Sequence, residues 1–319
     1  MARKRRYRSR KFFSLIIVLG LLYFIIKIVS SCLPVEVVQA QVAELEDFLE
    51  GEFIVLRPEQ KVAAPCSGYF LQVKQEGERV AKGALLGYLE TTAGSSLEKT
   101  TSRTLNAPMA GLVSYNLDGL EQVCLPEIWP YLEIGSLAVF MEKLPLDEGI
   151  STEEGARVSA GEGVCKIINN LEECYFYWQG EGAFPEKIKK GGSLRIRLKE
   201  QPQVILKGIV KELTRDVGKY CLLIEILNAG NLSLQRCMLG EIIVENFKGV
   251  ILPEKVIVEK EGQWGVYLFK KGRAHWQAVE KIAHLRGQVV LDNLTEKDWV
   301  IVDPQLVVEG KRVTRLNKK

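Results

Sequence analysis

The sequence has few of the residues on which metal sites and enzymes depend. Only two histidines occur in 319 residues, His275 and His284. No His-x-His accompanies them, which excludes a zinc peptidase site with several closely spaced His and Asp ligands. The sequence also lacks Gly-x-Ser-x-Gly, a phosphate-binding Gly-x-x-x-x-Gly-Lys and a dinucleotide fingerprint after a strand. We therefore predict a protein that is not an enzyme and that has no metal or other cofactor.

Paired cysteine motifs are also absent. The cysteines are scattered and include no Cys-x-x-Cys pair, so neither a zinc site nor a thiol redox motif is indicated. We expect most of them to be small buried apolar residues. The seven are Cys32, Cys66, Cys124, Cys165, Cys174, Cys221 and Cys237.

Positive charge is concentrated at the N-terminus, where seven of the first eleven residues are Lys or Arg. The following run from Phe12 to Val29 contains Lys27 as its one charged residue. As a helix it would be about 27 Å long, close to the thickness of a bilayer core. The basic residues predict a cytoplasmic N-terminus. We predict a cytoplasmic tail at residues 1–11, a transmembrane helix at 12–30 and an ectodomain outside the cytoplasmic membrane, with no nucleic-acid partner.

Two other interpretations of this segment remain open. It could be a cleaved signal peptide, or a lipoprotein signal that ends at residues 29–32 (VSSC) and is lipidated at Cys32. All three interpretations place the remainder of the chain on the outer side of the cytoplasmic membrane, in an extracellular or periplasmic location.

The remainder of the chain shows little amphipathic helix periodicity. Short β-branched runs alternate with Gly, Pro, Asn and Asp, which predicts a mainly β ectodomain. Because 47% of the residues are hydrophobic, the 319-residue chain can bury the cores of two or three small domains.

A two-part pattern occurs twice in the ectodomain. Residues 64–68 (APCSG) recur as 107–111 (APMAG), and residues 77–83 (GERVAKG) recur as 155–161 (GARVSAG). Proline can open a short strand, and glycine permits a tight turn or a close backbone approach. We predict that the two copies pack as a flattened sandwich; the alternative is two unrelated hairpins. The proposed turn residues are Pro65, Gly68, Gly77, Gly83, Pro108, Gly111, Gly155 and Gly161.

The paired half-motifs resemble the lipoyl-like barrel-sandwich hybrid domain of the HlyD-like membrane-fusion family, which includes the RND-related periplasmic adaptors. The resemblance continues through residues 164–170 (VCKIINN), 194–198 (LRIRL), 251–257 (ILPEKVI) and 310–313 (GKRV). It implies a linker at 31–54, a barrel-sandwich hybrid at 55–170 with an insertion at 116–154, a β-barrel at 171–248 and a membrane-proximal β domain at 249–319.

The chain departs from this family between the two copies. Typical members carry a long α-helical hairpin there, whereas only sixteen residues separate Glu90 from Ala107. The absence of the hairpin makes an outer-membrane channel partner doubtful. A biotin or lipoyl carrier is not indicated either, because the turn at residues 108–111 has no lysine.

The insertion contains aromatic residues of the types enriched in interface cores. Trp129, Tyr131 and Phe140 are therefore candidate partner-docking residues. The alternative is a loop or short helix that packs on the sandwich.

The resemblance implies a single-pass adaptor subunit of an export or efflux system. Such a protein would form a homo-oligomer and couple a cytoplasmic-membrane transporter to a substrate path outside the membrane. The alternative is a structural scaffold of the cell envelope that keeps the adaptor fold without a pump, and the missing hairpin favours it.

Overall fold

The computed structural model describes residues 33–91, 101–127, 150–151, 153–182, 184–216, 219–227, 229, 232 and 234–316. The predicted transmembrane segment at 12–30 and the candidate docking residues Trp129, Tyr131 and Phe140 lie outside the described residues. Among the residues that are described, no helix is both long and apolar enough to span a membrane. Strands predominate there, so the prediction of a mainly β chain is confirmed.

The chain divides into two compact units, residues 48–244 and residues 1–47 with 245–319. The N-terminal strands are β1 (Leu33–Val35), β2 (Val37–Gln39) and β3 (Val42–Leu56). They occupy most of the segment expected to be a linker. The last residues of β3 form a strand with two apolar faces: Phe53 and Val55 enter one hydrophobic cluster, and Ile54 and Leu56 enter another.

The first part of the 48–244 unit is a sandwich of two four-stranded sheets. Its strands are β4 (Glu59–Ala63), β5 (Gly68–Gln72), β6 (Arg79–Val80), β7 (Leu85–Thr91), β8 (Thr101–Asn106), β9 (Gly111–Ser114), β10 (Asn116–Leu117), β11 (Ile150–Ser151), β12 (Arg157–Val158) and β13 (Gly163–Ile168). One sheet has the order β12-β5-β7-β8 and the other β4-β13-β9-β6, while β10 and β11 pair separately. Buried apolar residues from both sheets, including Phe70, Leu89 and Ile167, form one core between them.

The second part of this unit is a barrel. Its further strands are β14 (Cys174–Glu181), β15 (Ser193–Leu198), β16 (Ile205–Asp216), β17 (Lys219–Leu227) and β18 (Cys237–Pro253). The order β15-β16-β17-β14-β3-β18, with an additional β15–β18 pairing, closes a six-stranded ring. Because the ring formed by these described strands is closed, it has no exposed sheet edge. The alternation predicted for residues 194–198 is confirmed, since Leu194, Ile196 and Leu198 are buried in the barrel core.

The other unit contains β1, β2, the C-terminal part of β18, and β19 (Ile257–Lys260), β20 (Gln263–Lys270), β21 (Arg273–Ala278), β22 (Glu280–Leu285), β23 (Gln288–Asp292), β24 (Trp299–Ile301) and β25 (Val313–Arg315). Single turns of 3₁₀-helix occupy Glu254–Val256 and Pro304–Leu306. A sheet of order β19-β20-β24-β2, with β21 on β20, packs over a core that includes Val250, Leu268 and Leu291. Strands β1 and β25 form a separate parallel pair.

Two-residue hairpin turns set the strand register in this unit. At Lys271-Gly272, for example, φ is 49° and 74°. Two consecutive positive φ values define a type I′ turn, whose twist matches that of the flanking strands. Glycine at the second position keeps the strain low. The same pattern occurs at Glu261-Gly262 and Arg286-Gly287.

Candidate functional site

The residues of the sequence repeat lie at the turns and edges of the sandwich. Gly77, Gly83, Gly155 and Gly161 adopt positive φ values of 75°, 83°, 77° and 84°. Only glycine takes up this conformation without a steric cost, so these positions need glycine for the turn itself.

The proline motifs lie where the backbone of another strand comes close. Pro65 and Pro108 precede β5 and β9, and Gly68 and Gly111 are the first residues of those strands. A Cβ atom on Gly68 would lie 2.7 Å from the Glu90 carbonyl oxygen. The repeat residues thus form turns and close backbone approaches of the sandwich.

The two copies of the repeat exchange short strands. Strand β6, from the first copy, pairs with β9 of the second, and β12, from the second copy, pairs with β5 of the first. Each sheet therefore contains strands from both copies, and neither half-motif can complete its sheet alone.

Hydrogen bonds follow the same exchange. The Gly83 N–H donates to the Ala107 carbonyl at 2.8 Å, and the equivalent Gly161 N–H donates to the Ala64 carbonyl at 2.8 Å. Likewise, the Gly77 N–H donates to Val113 at 2.8 Å and the Gly155 N–H donates to Phe70 at 2.7 Å. These reciprocal bonds relate the two copies by an approximate twofold symmetry.

The most unusual side-chain arrangement in the 48–244 unit is a cluster of buried charges. One member lies between β3 and β4, one is the first residue of β4, one lies in β13, two lie in the turn that follows β10, and one is the residue before β18. We call this group the ion cluster. Its members are Arg57, Glu59, Asp118, Glu121, Lys166 and Arg236.

Glu59 is the centre of the ion cluster. Its side chain is fully buried, and its carboxylate accepts a hydrogen bond from Arg57 Nε at 2.7 Å. Lys166 Nζ lies 3.3 Å from the same carboxylate, and Arg236 donates to it as well. Three cations therefore surround one carboxylate inside the protein.

Asp118 and Glu121 supply the balancing negative charge. Lys166 Nζ donates to Asp118 at 2.9 Å and lies 3.7 Å from Glu121, while Arg236 Nε donates to Asp118 at 3.1 Å. The six formal charges sum to zero. Complete pairing matters because a buried unpaired charge costs several kcal/mol.

The pKa values follow from this arrangement. Burial alone would raise the pKa of Glu59, but the charges of Arg236, Arg57 and Lys166 outweigh burial and lower it. For Asp118, burial is again opposed by Arg236 and Lys166, which hold its pKa at about 2. Both carboxyl groups are therefore ionised at neutral pH.

The ion cluster also fixes the start of the insertion. The Asp118 N–H donates to the Glu121 carboxylate at 2.9 Å, and the Leu120 N–H donates to Asp118 Oδ1 at 2.9 Å. These bonds form a tight turn whose acids face Lys166 and Arg236. Beside the turn, Leu120 and Cys124 pack on Tyr177 of the barrel wall.

Sequence reasoning missed the ion cluster. One signal was present, because Lys166 interrupts a strand, β13, in which residues 164–168 are otherwise apolar and buried. A lysine at such a position needs an acidic partner. The partners themselves could not be read from the sequence, since Asp118 is 48 residues and Glu59 is 107 residues away.

The described cysteines are buried or partly buried. Cys124, Cys165, Cys174 and Cys221 are buried, as expected, while Cys66 and Cys237 are partly buried. Burial raises the pKa of the Cys165 thiol to about 12, which keeps it protonated and unreactive. In the part of the chain that the structure describes, no three His, Cys, Asp or Glu residues are grouped to hold a metal ion.

Comparisons with known proteins locate similar structures but no family match. No family model and no curated protein matches the sequence. MacA from Actinobacillus actinomycetemcomitans is 11% identical with a TM-score of 0.37, over 83% of this chain and 99% of MacA. ZneB from Cupriavidus metallidurans is 9% identical with a TM-score of 0.35, over 86% of this chain and 94% of ZneB.

A third similar structure is the membrane fusion protein Spr0693 from Streptococcus pneumoniae, at 13% identity and a TM-score of 0.30. The match covers 62% of this chain and 100% of Spr0693. Of these three structures, Spr0693 is the one described as a membrane fusion protein, the class that the sequence resembles.

Proposed function

We propose that the protein is a membrane-anchored, non-enzymatic adaptor of an export or efflux system. Residues 12–30 would hold it in the cytoplasmic membrane as a single-pass protein with a cytoplasmic N-terminus. The ectodomain would form a homo-oligomer and couple a cytoplasmic-membrane transporter to a substrate path outside the membrane. Anchoring would raise the local concentration of the ectodomain beside its partner.

The exchanged sandwich joined to a closed barrel is the observation that carries this proposal. The two copies of the repeat complete each other's sheets, β3 and β18 complete the barrel, and the charges of the ion cluster are neutralised internally. Such a unit can transmit force and present surfaces. The charged side chains that it buries are paired with one another, which suits a mechanical role better than chemistry.

A second candidate is a cell-envelope scaffold that works without a pump. It is favoured by the short connection between Thr91 at the end of β7 and Thr101 at the start of β8. Residues 92–100 are too few for a long helical hairpin, since nine helical residues would extend about 14 Å. An outer-membrane channel is therefore not among the proposed partners.

A crosslinked affinity purification from membranes distinguishes the two functions. The tagged full-length chain is crosslinked in cells, purified in detergent and analysed by mass spectrometry. The adaptor proposal expects a transporter subunit in stoichiometric amount. Recovery of wall or division proteins alone, or of this chain alone, would contradict the adaptor proposal and support the scaffold.

Two matched variants test the proposed docking residues in the same experiment. Replacing Trp129 and Tyr131 by alanine should lower transporter recovery at least about tenfold, since aromatic interface residues contribute on the order of 2 kcal/mol each. Trp264→Ala is the control, because Trp264 is an exposed aromatic in the other unit. Equal recovery of the transporter with both variants would show that residues 129 and 131 are not part of the interface.

A further inference from the structure

We propose that one end of the unit formed by residues 33–47 and 245–316 binds the anionic lipid headgroups of the membrane in which the chain is anchored. The inference rests on the anchor in the proposed function and adds a second, peripheral membrane contact. Four cations on two adjacent turns form the surface, and we call them the basic turn pair. They are Lys271, Arg273, Lys311 and Arg312.

Backbone contacts hold the two turns side by side. The Val313 N–H donates to the Gly272 carbonyl at 2.9 Å, and the Ala274 N–H donates to the Lys311 carbonyl at 3.0 Å. Arg273 and Arg312 are consequently directly opposite each other in an isolated antiparallel bridge. The fold therefore brings the four cations close together. Their proximity is not evident from the sequence, in which the two turns are about 40 residues apart.

The positive charge of the basic turn pair is not neutralised within the described part of the chain. All four residues are exposed, and no ion pair joins any of them to a described carboxylate. The neighbouring Glu309 carboxylate is engaged elsewhere, because it accepts the Trp276 N–H at 2.6 Å and lies 3.3 Å from His275 Nδ1. Like charges placed opposite each other destabilise a β-ladder unless an anion is nearby.

The path of the chain places this end near the membrane. The Leu33 N–H donates to the Arg312 carbonyl at 3.4 Å. Leu33 follows Val29, the last residue of the apolar run, by four residues. Four residues span at most about 14 Å when fully extended. Leu33, whose N–H contacts one of the two turns, is therefore held within one to two Debye lengths of the headgroups at physiological salt.

Exposed apolar side chains adjoin the cations. Val308 is 62% exposed and Leu306 is 54% exposed. The Lys311 N–H donates to the Val308 carbonyl at 3.1 Å, so Val308 lies on the same turn as Lys311. Apolar residues beside Lys and Arg are the combination that binds an anionic bilayer interface. A soluble polyanion would satisfy the charge but would leave these apolar side chains in water.

Fluorescence quenching in proteoliposomes tests the contact with the full-length protein. A fluorophore is attached at Val308→Cys, and the quencher is a nitroxide on the lipid headgroup. The signal from protein without the added cysteine is subtracted, because native thiols also react. Quenching is compared between vesicles of neutral phosphatidylcholine and vesicles with about 30% phosphatidylglycerol, a fraction that gives an anionic surface.

The proposal expects stronger quenching in the anionic vesicles. Replacing Lys271 and Lys311 by Gln should lower the ratio of docked to undocked protein about fivefold for each lysine removed. Salt at about 1 M should have the same effect, since the Debye length is then about 3 Å. The matched control replaces Lys248 and Lys281, two exposed lysines of the same unit, by Gln and should leave quenching unchanged.

Opposing results separate this inference from the proposed function. Equal quenching in neutral and anionic vesicles, or equal losses in the test and control variants, would overturn the lipid contact while the anchor stands. A full-length protein that alkaline carbonate washes off the vesicles would overturn the anchor itself. A label at Gln263→Cys, at the opposite end of β20 from Lys271, should remain weakly quenched in every case.

Discussion

Glu59 shows how single residues hold the 48–244 unit together. Its carboxylate lies between Arg57, Lys166 and Arg236, which come from three separate parts of the chain. Burying such a group is favourable only while every partner is present. The ion cluster is therefore a set of contacts in which the loss of one member affects all the others.

Glu59→Gln should destabilise the unit by about 3–5 kcal/mol, because it leaves buried positive charge without a counterion. Urea unfolding followed by tryptophan fluorescence would measure the change. Glu212→Gln is the control, since Glu212 pairs with Lys190 on the surface and such pairs contribute about 1 kcal/mol or less. Similar losses for the two variants would contradict a central role for Glu59.

The lowered pKa of Asp118 predicts that the stability of the protein depends on pH. Its pKa is about 2 in the folded protein, below its value in the unfolded chain, so its contribution is fully present above pH 4 and is lost as the pH falls toward 2. The wild type should exceed Asp118→Asn by about 2 kcal/mol at pH 7. Urea midpoints of both proteins from pH 7 to pH 2 should converge at the acidic end; a constant difference would exclude the ion pairs as its source.

At the scale of elements, the exchange of β6 and β12 makes the two halves of the sandwich dependent on each other. Val80 in β6 and Val158 in β12 occupy equivalent positions in the repeat and are 4% and 3% exposed. Each fills the core from a strand of only two residues. Packing, more than strand length, therefore holds these segments in place.

Val80→Ala and Val158→Ala should each destabilise the protein by about 2 kcal/mol, because each removes buried methyl groups from the shared core. The two losses should be nearly equal if the symmetry of the exchange extends to energetics. Thermal unfolding measured by circular dichroism would compare them, with exposed Arg157→Ala as the neutral control. A large effect of one valine substitution and none of the other would show that one half-motif is stable alone.

At the scale of the whole molecule, the proposed topology can be tested by labelling. Ser96→Cys, in the connection between β7 and β8, should react with a membrane-impermeant maleimide in intact cells. Ser9→Cys, in the basic tail, should react only after the cells are permeabilised, because the positive-inside rule places that tail in the cytoplasm. Labelling of Ser9→Cys in intact cells would show that the orientation is the opposite of the proposed one.

Much of the architecture could be predicted from local patterns. The repeat at residues 64–83 and 107–161 indicated paired half-motifs, because glycine and proline specify turns through local backbone sterics. Alternation at residues 194–198 indicated a half-buried strand for a similarly local reason. The resemblance implied a linker at residues 31–54, whereas most of β3 lies there, with acidic residues on its N-terminal part.

The sequence by itself determined the mainly β character, the turn positions and the scarcity of catalytic residue types. These properties depend on the backbone preferences and chemistry of neighbouring residues. Only the tertiary structure decided that the two repeats exchange strands, that Glu59 meets Arg236, and that Arg273 faces Arg312. Those contacts join residues far apart in the chain, and no local propensity specifies which distant strands become neighbours.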